Sequence, residues 1–159
     1  MDEKSAAAFS VIGGSDGPTA IFLAGKVAPK EVDADIKVIA EALNEKMSFR
    51  SEIFELDEET ILNYVDLTDD TEAVMYMTSG STADEIVLFK CNSLDDVEEM
   101  TDNLNMFLQD QINSYENYFP EEAARIEAAP IISFGNIVGV CVCENPGEAF
   151  SLICNEMGK

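Results

Sequence analysis

Two apolar runs joined by a short polar linker stand at residues 73–91, AVMYMTSGSTADEIVLFKC. Apolar runs of strand length that flank a cluster of Gly, Ser, Thr and Asp are typical of two paired strands. A second such stretch stands at residues 131–143, IISFGNIVGVCVC, where Gly135-Asn136 suits a tight hairpin turn. Strands grouped in hairpins, instead of alternating singly with helices, argue against a parallel Rossmann-type sheet.

Helical periodicity surrounds the two hairpins. Apolar residues recur at three- and four-residue spacing in residues 32–47 and 94–115, which is the pattern of a helix with one buried face. Residue types that favour helix starts mark where we expect four helices to begin: Pro29, Asp57, Ser93 and Pro120. Residues 145–147, NPG, should break the chain before a last helix. The sequence therefore predicts an α+β fold, with helices packed on one antiparallel sheet of about four strands built from the two hairpins.

Charge and composition exclude several classes of function. The 159 residues carry 32 acidic and 9 basic side chains, a formal charge of -23, so the chain repels nucleic-acid phosphates and anionic membranes. The chain has no histidine, which removes Ser-His-Asp catalysis, His-ligated zinc and imidazole acid–base chemistry. We therefore predict no nucleic-acid partner, no catalytic residue and no cofactor.

The charge divides the chain into two parts. Residues 1–50 hold six basic and eight acidic side chains, whereas residues 51–159 hold three basic and 24 acidic ones. Such a shift in composition favours a change of structural unit. We place the boundary near Pro29, which predicts a Gly-rich N-terminal segment at residues 1–28 and an α+β domain at residues 29–159.

The most specific local string is residues 11–23, VIGGSDGPTAIFL. It closely resembles the Gly-Asp-Gly-Pro signature of the β subunit of the sodium-translocating decarboxylases. Carboxylate, hydroxyl and carbonyl oxygens suit a hard cation, and glycines let carbonyls converge. The resemblance implies an accessory role in sodium-dependent decarboxylase or sodium-transport chemistry. It also implies a set of ligand-binding residues, with Asp16 as the sodium ligand: Gly13, Gly14, Asp16, Gly17 and Thr19.

The same segment has a structural interpretation. Apolar residues at 9–12 and 20–23 form two arms about a glycine-rich turn. Such arms favour a β-hairpin that adds to the edge of a sheet, either in its own chain or on a partner. A homo-oligomer formed through residues 1–28 is therefore one of the alternatives.

Three stretches of the body carry a second resemblance: residues 57–60, DEET; residues 81–90, STADEIVLFK; and residues 118–122, YFPEE. They resemble a clostridial family of domains of unknown function, number 4358, over about residues 32–157. The resemblance implies a protein that is commonly exported, often as a lipoprotein, with no established activity. The chain shows no lipobox cysteine, signal-peptide core or spanning helix, so we expect a cytoplasmic location. An exported lipoprotein whose leader is missing is the alternative.

Cysteines and clustered acids are the usual candidates for metal sites. Cys141 and Cys143 share one face of a predicted strand, where we expect small buried hydrophobic side chains rather than a metal or redox site. The acids at residues 66–72 lack the ligand spacing of an EF-hand, so we expect a solvated turn.

Polar and aromatic residues near the long helix also favour structural roles. The run at residues 79–82, SGST, has the composition of a turn, and the chain offers no histidine base for a nucleophile. Tyr115, Tyr118 and Phe119 end the long helix, where aromatic side chains are more often in the core than on a ligand platform. The sequence therefore predicts a small acidic bacterial module without enzymatic activity, which binds an unidentified protein or small molecule.

Overall fold

The computed structural model describes residues 9–12, 21–24, 34–80 and 82–157. Within these ranges the chain forms seven strands and five α-helices. The strands are β1 (Phe9–Ile12), β2 (Ile21–Ala24), β3 (Phe54–Glu55), β4 (Glu72–Met77), β5 (Glu85–Lys90), β6 (Ile131–Phe134) and β7 (Ile137–Val142). The helices are α1 (Ile36–Lys46), α2 (Glu58–Leu62), α3 (Val97–Glu116), α4 (Pro120–Ala128) and α5 (Pro146–Met157).

All seven strands belong to one sheet, in the order β1-β2-β6-β7-β5-β4-β3. Strands β3 to β7 form an antiparallel five-stranded part, in which the two predicted hairpins lie side by side with Glu85 opposite Val142. The α+β prediction is confirmed. The sheet has somewhat more strands than the predicted four or so, because the two-residue β3 and the N-terminal β1 and β2 join the strands of the two hairpins.

The N-terminal strands extend the sheet beyond β6. Strand β1 pairs antiparallel with β2, with Phe9 opposite Ala24. Strand β2 then runs parallel to β6, with Ile21 opposite Ile131. The predicted hairpin is therefore confirmed, and it adds to the sheet of its own chain. The boundary proposed near Pro29 lies outside the described residues and stays a prediction.

Helices cover both faces of the sheet. Strand β5 lies between β7 and β4, so its side chains are buried on both faces and the sequence shows no polar alternation there. Val87 and Phe89 pack into the core beneath α3 and α4, while Ile86 and Leu88 pack into the core beneath α1 and α5. Across the described ranges, no helix combines the length and apolar content that crossing a bilayer requires.

Two of the predicted helix starts need correction. Helix α1 begins at Ile36 rather than at Pro29, because the Asp35 side chain accepts a hydrogen bond from the Lys37 N–H at 2.9 Å and caps the helix there. Ser93 precedes a 3₁₀ turn, Leu94–Asp96, before α3 begins. The predicted starts at Asp57 and Pro120 are confirmed. Helix α5 begins at Pro146, within the stretch at residues 145–147 that we expected to precede it.

Candidate functional site

A cavity of about 290 Å³ lies where β4 ends and β5 begins. The linker between these strands forms one wall through Thr78, Ser79, Gly80, Thr82 and Asp84, and Gln111 and Tyr115 of α3 form another. Thr82 fixes the linker, since its carbonyl oxygen accepts hydrogen bonds from Thr78 Oγ1 at 2.9 Å and from Tyr115 Oη at 2.8 Å. Ser79, Gly80 and Thr82 lie in bends, as expected for the predicted turn, and Gly80 has a positive φ of 112°. Ser81 lies outside the described residues.

An aromatic groove adjoins this cavity and has a volume of about 470 Å³. The two spaces share Tyr64, Gly80, Gln111 and Tyr115 as walls. We define the aromatic groove by five aromatic side chains and one carboxylate: Tyr64, Phe107, Tyr115, Tyr118, Phe119 and Asp110. Its aromatic rings meet edge to face, with centroids 5.9 Å apart for Tyr64 and Phe107 and 6.3 Å apart for Tyr115 and Phe119.

Three of these aromatic side chains are unusually exposed. Tyr118 is 78% exposed, Phe119 53% and Tyr64 50%. The prediction that the aromatic residues ending α3 lie in the core is therefore wrong for Tyr118 and Phe119. Helix α3 ends at Glu116 and Pro120 starts α4, so the connection between them holds both side chains outside the core.

Glu85 and Gln111 lie together on the floor of the cavity. Gln111 Nε2 donates a hydrogen bond to Glu85 Oε1 at 2.8 Å. Glu85 Oε2 and Gln111 Oε1 are buried and, within the described part of the chain, have no hydrogen-bond partner. Burial raises the pKa of Glu85 to about 8, with a further rise from the Asp84 charge and an opposing effect of the Gln111 hydrogen bond. Glu85 is therefore mostly protonated at neutral pH.

An ionic network underlies the same linker. Arg125 of α4 contacts both Asp84 and Glu122, the latter at 2.8 Å from Nη1 to Oε1. Glu122 Oε1 also accepts a hydrogen bond from the Ala83 N–H at 2.8 Å. The Asp84 side chain is 0% exposed and that of Arg125 is 11% exposed, so this is a buried ion pair. It fastens the linker to α4.

Arg50 extends the network to the surface. Its guanidinium lies 3.0 Å from Glu122 Oε2 and 2.9 Å from Glu144 Oε2. Burial alone would raise the pKa of Glu122, but the Ala83 N–H and the two guanidinium groups outweigh it and lower this pKa. Because each charged group of the network is paired with an oppositely charged group, we assign the network a structural role. Sequence reasoning missed it, although Arg125 is one of only three basic residues after position 50.

The other predicted sites fall outside the groove. The proposed ligand-binding residues Gly13, Gly14, Asp16, Gly17 and Thr19 lie outside the described residues, so the sodium site stays a prediction. Across the described ranges, no three Cys, Asp or Glu side chains cluster in a way that could hold a metal ion.

The cysteines lie where the strand pattern places them. Cys141 and Cys143 are buried in the core beneath α1 and α5, as predicted, and both are free thiols. The hydrogen bond between them raises the pKa of the Cys141 thiol and lowers that of Cys143. Of the acids at residues 66–72, Asp69 and Asp70 lie in a turn, in which Asp70 has a φ of 59°, and Glu72 begins β4.

Comparison with known proteins identifies the family. Residues 45–143 match the family described as Domain of unknown function (DUF4358), a narrower span than the expected 32–157. No curated protein and no solved structure matches the chain, and nothing in these comparisons supports the decarboxylase resemblance of residues 11–23. All residues of the aromatic groove lie inside the matched span. Because that span is well over half of the 159 residues, the chain belongs to the DUF4358 family.

Proposed function

We propose that this chain is a binding module without catalytic activity, which takes its ligand in the aromatic groove. The observation that carries this proposal is the convergence of exposed aromatic side chains above a cavity whose floor, within the described residues, holds two buried side-chain oxygen atoms without a hydrogen-bond partner. Exposed aromatic rings grouped on one surface are typical of ligand-binding sites. They leave a large apolar area in contact with water, and a ligand that covers this area gains free energy from its burial. The cavity beneath the groove lies where β4 ends and β5 begins.

The chemistry of the site favours binding over turnover. The Tyr115 hydroxyl donates to the Thr82 carbonyl oxygen, and the Thr78 hydroxyl donates to the same atom. Asp84 is held by Arg125, so it is not available as a base. Glu85 alone remains as a titratable group on the floor of the cavity, and one carboxyl group without a positioned nucleophile supports recognition rather than covalent catalysis.

Tyrosine fluorescence offers a direct test, because the chain has no Trp and three of its four tyrosines line the groove. The fourth, Tyr76, is buried against the opposite core. A Tyr76→Phe variant therefore reports on the groove alone. We would titrate it with four probes: n-butylammonium, 1-pentanol, glucose and acetate. We expect at least one saturable change in emission.

Two further variants locate the binding. Tyr118→Ala should remove the saturable change, whereas Phe54→Ala should keep it, since Phe54 is also aromatic and 51% exposed but lies on β3. Failure of all four probes to bind, or binding that survives Tyr118→Ala, would contradict the proposal. Turnover in a broad screen for hydrolase, lyase and transferase activity, lost on a point mutation, would also contradict it.

A further inference from the structure

We propose that the ligand of the aromatic groove is an organic cation that carries N–H donors, an alkylammonium or a guanidinium group. This inference rests on the proposed function, because it assumes that the groove is the ligand site. It adds the chemical class of the ligand, which three independent features of the groove and cavity support.

The charge of the site is the first feature. Asp110 lies on the rim of the groove, and Asp84 and Glu85 lie beneath it. No Lys or Arg is among the described residues that line either space. The nearest guanidinium group, that of Arg125, is held between Asp84 and Glu122. A cation that enters the groove therefore meets the Asp110 carboxylate at the rim without competition from a basic side chain among the described lining residues. Asp84 is already paired with Arg125, and Glu85 contributes a negative charge only when it loses its proton.

The aromatic walls are the second feature. The faces of Tyr and Phe rings carry partial negative charge, so they attract a cation that lies over them within about 6 Å. Tyr64, Tyr118 and Phe119 leave half or more of their surface exposed, which makes ring surface available to a ligand. A neutral apolar ligand would gain from the same burial, but only a cation gains from the ring electrostatics as well.

The unpartnered acceptors are the third feature. Glu85 is 0% exposed, yet its Oε2 and the neighbouring Gln111 Oε1 accept no hydrogen bond within the described part of the chain. Buried oxygen atoms without a donor are rare in folded proteins and need an explanation. An ammonium or guanidinium group supplies N–H donors to both atoms, whereas a quaternary ammonium group, which has no N–H, supplies none.

The binding of a cation beside Glu85 should be coupled to the release of one proton. A positive charge beside Glu85 favours its carboxylate form, so binding at neutral pH releases the Glu85 proton to the buffer. The charged and titratable groups that face Glu85 are Asp84 on its own strand, Tyr115 on α3 and Cys141 on β7. None of these three supplies a positive charge, so a cationic ligand would add to the stabilisation of the carboxylate that the Gln111 hydrogen bond already gives.

The first experiment compares a cation with a neutral molecule of similar size in the Tyr76→Phe variant. At fixed ionic strength, n-butylammonium should bind with a Kd lower than that of 1-pentanol by about tenfold or more, and tetramethylammonium should bind more weakly than n-butylammonium. Asp110→Asn should weaken n-butylammonium binding. Asp102→Asn, an exposed acid on the same helix outside the groove, removes the same charge and should leave the Kd unchanged.

The second experiment measures the Kd of n-butylammonium from pH 6 to pH 8, where the ligand stays charged. The Kd should fall as the pH rises, by up to about tenfold per pH unit, and Glu85→Gln should flatten this profile. Equal affinity for 1-pentanol, equal effects of Asp110→Asn and Asp102→Asn, or a flat profile for the Tyr76→Phe variant would overturn the inference.

The two proposals fail in distinguishable ways. If 1-pentanol or glucose binds in a manner that depends on Tyr118 while n-butylammonium does not bind, the groove remains the ligand site and only the cation inference is overturned. If no probe binds, both are overturned.

Discussion

Replacement of Glu85 by Gln should make the stability of the protein much less dependent on pH. In the unfolded chain a glutamate has a pKa near 4.5, whereas burial raises that of Glu85 to about 8 in the folded protein. Between these two values the unfolded chain releases the proton and the folded protein retains it. The free energy of unfolding therefore decreases as the pH rises through this window, and it stops decreasing above the folded pKa.

The size of the effect follows from the two pKa values. One proton contributes roughly 1.4 kcal/mol per pH unit, so the whole window amounts to about 5 kcal/mol. Between pH 5 and pH 8 the wild-type protein should lose roughly 3–4 kcal/mol relative to Glu85→Gln, which stays neutral throughout. Other titrating groups contribute equally to both proteins and cancel in this difference.

Urea denaturation at pH 5, 6, 7 and 8, at constant ionic strength and followed by circular dichroism, measures this difference. Glu72→Gln is the matched control, because Glu72 is exposed at the start of the adjacent strand β4. Its free energy of unfolding should keep the wild-type dependence on pH. Parallel profiles for the wild type and Glu85→Gln would refute the reasoning, since they would mean that Glu85 is ionised in the folded protein.

Four further predictions concern the fold and the N-terminal segment. Gly139→Ala should lower the free energy of unfolding by about 1–3 kcal/mol in urea denaturation, because a Cβ there would lie 2.6 Å from the Val87 carbonyl oxygen. Gly147→Ala is the control: a Cβ there has no contact closer than 3.5 Å, so the free energy of unfolding should change little. Arg125→Met should cost about 3–5 kcal/mol by the same measurement, because it leaves the buried Asp84 without its cation. Deletion of residues 1–28 should lower Tm or change the mass measured by light scattering, because it exposes the edge of β6. If neither value changes, the pairing of β2 with β6 is contradicted. If residues 11–23 bind sodium, sodium should raise Tm above the value in potassium, and Asp16→Ala should abolish that shift.

Local patterns were sufficient to predict most elements of the fold. The two hairpins at residues 73–91 and 131–143 were predictable because apolar runs and turn residues are properties of neighbouring positions. The Asp57 cap was predictable for the same reason, and its side chain accepts from the Thr60 N–H at 2.8 Å. Strand β3 was not predictable, because two residues carry no periodicity and pair only where β4 offers an edge.

The candidate site was not predictable because it depends on contacts between distant parts of the chain. Asp84 and Arg125 are 41 residues apart, and Gln111 and Glu85 are 26 apart. Nothing in the local sequence distinguishes Glu85 from the other acids, since its burial follows from its place at the start of a central strand. The exposure of Tyr118 was not predictable for a similar reason. An aromatic residue at the end of an amphipathic helix is expected in the core, and only the turn into α4 exposes it.

The hydrogen bonding of the buried polar groups separates the structural part of this region from the part that we propose binds the ligand. Asp84, Glu122 and Arg125 satisfy one another, and such a closed network is what a fold needs to hold a linker in place. Glu85 and Gln111 lie beside it with one unsatisfied oxygen each, at a cost that the folded protein has to offset elsewhere. A purely structural role would be served better by two apolar side chains, which would pack against α3 without that cost. The polar pair, beneath a groove with exposed aromatic walls, is therefore better explained by a ligand that supplies the missing donors.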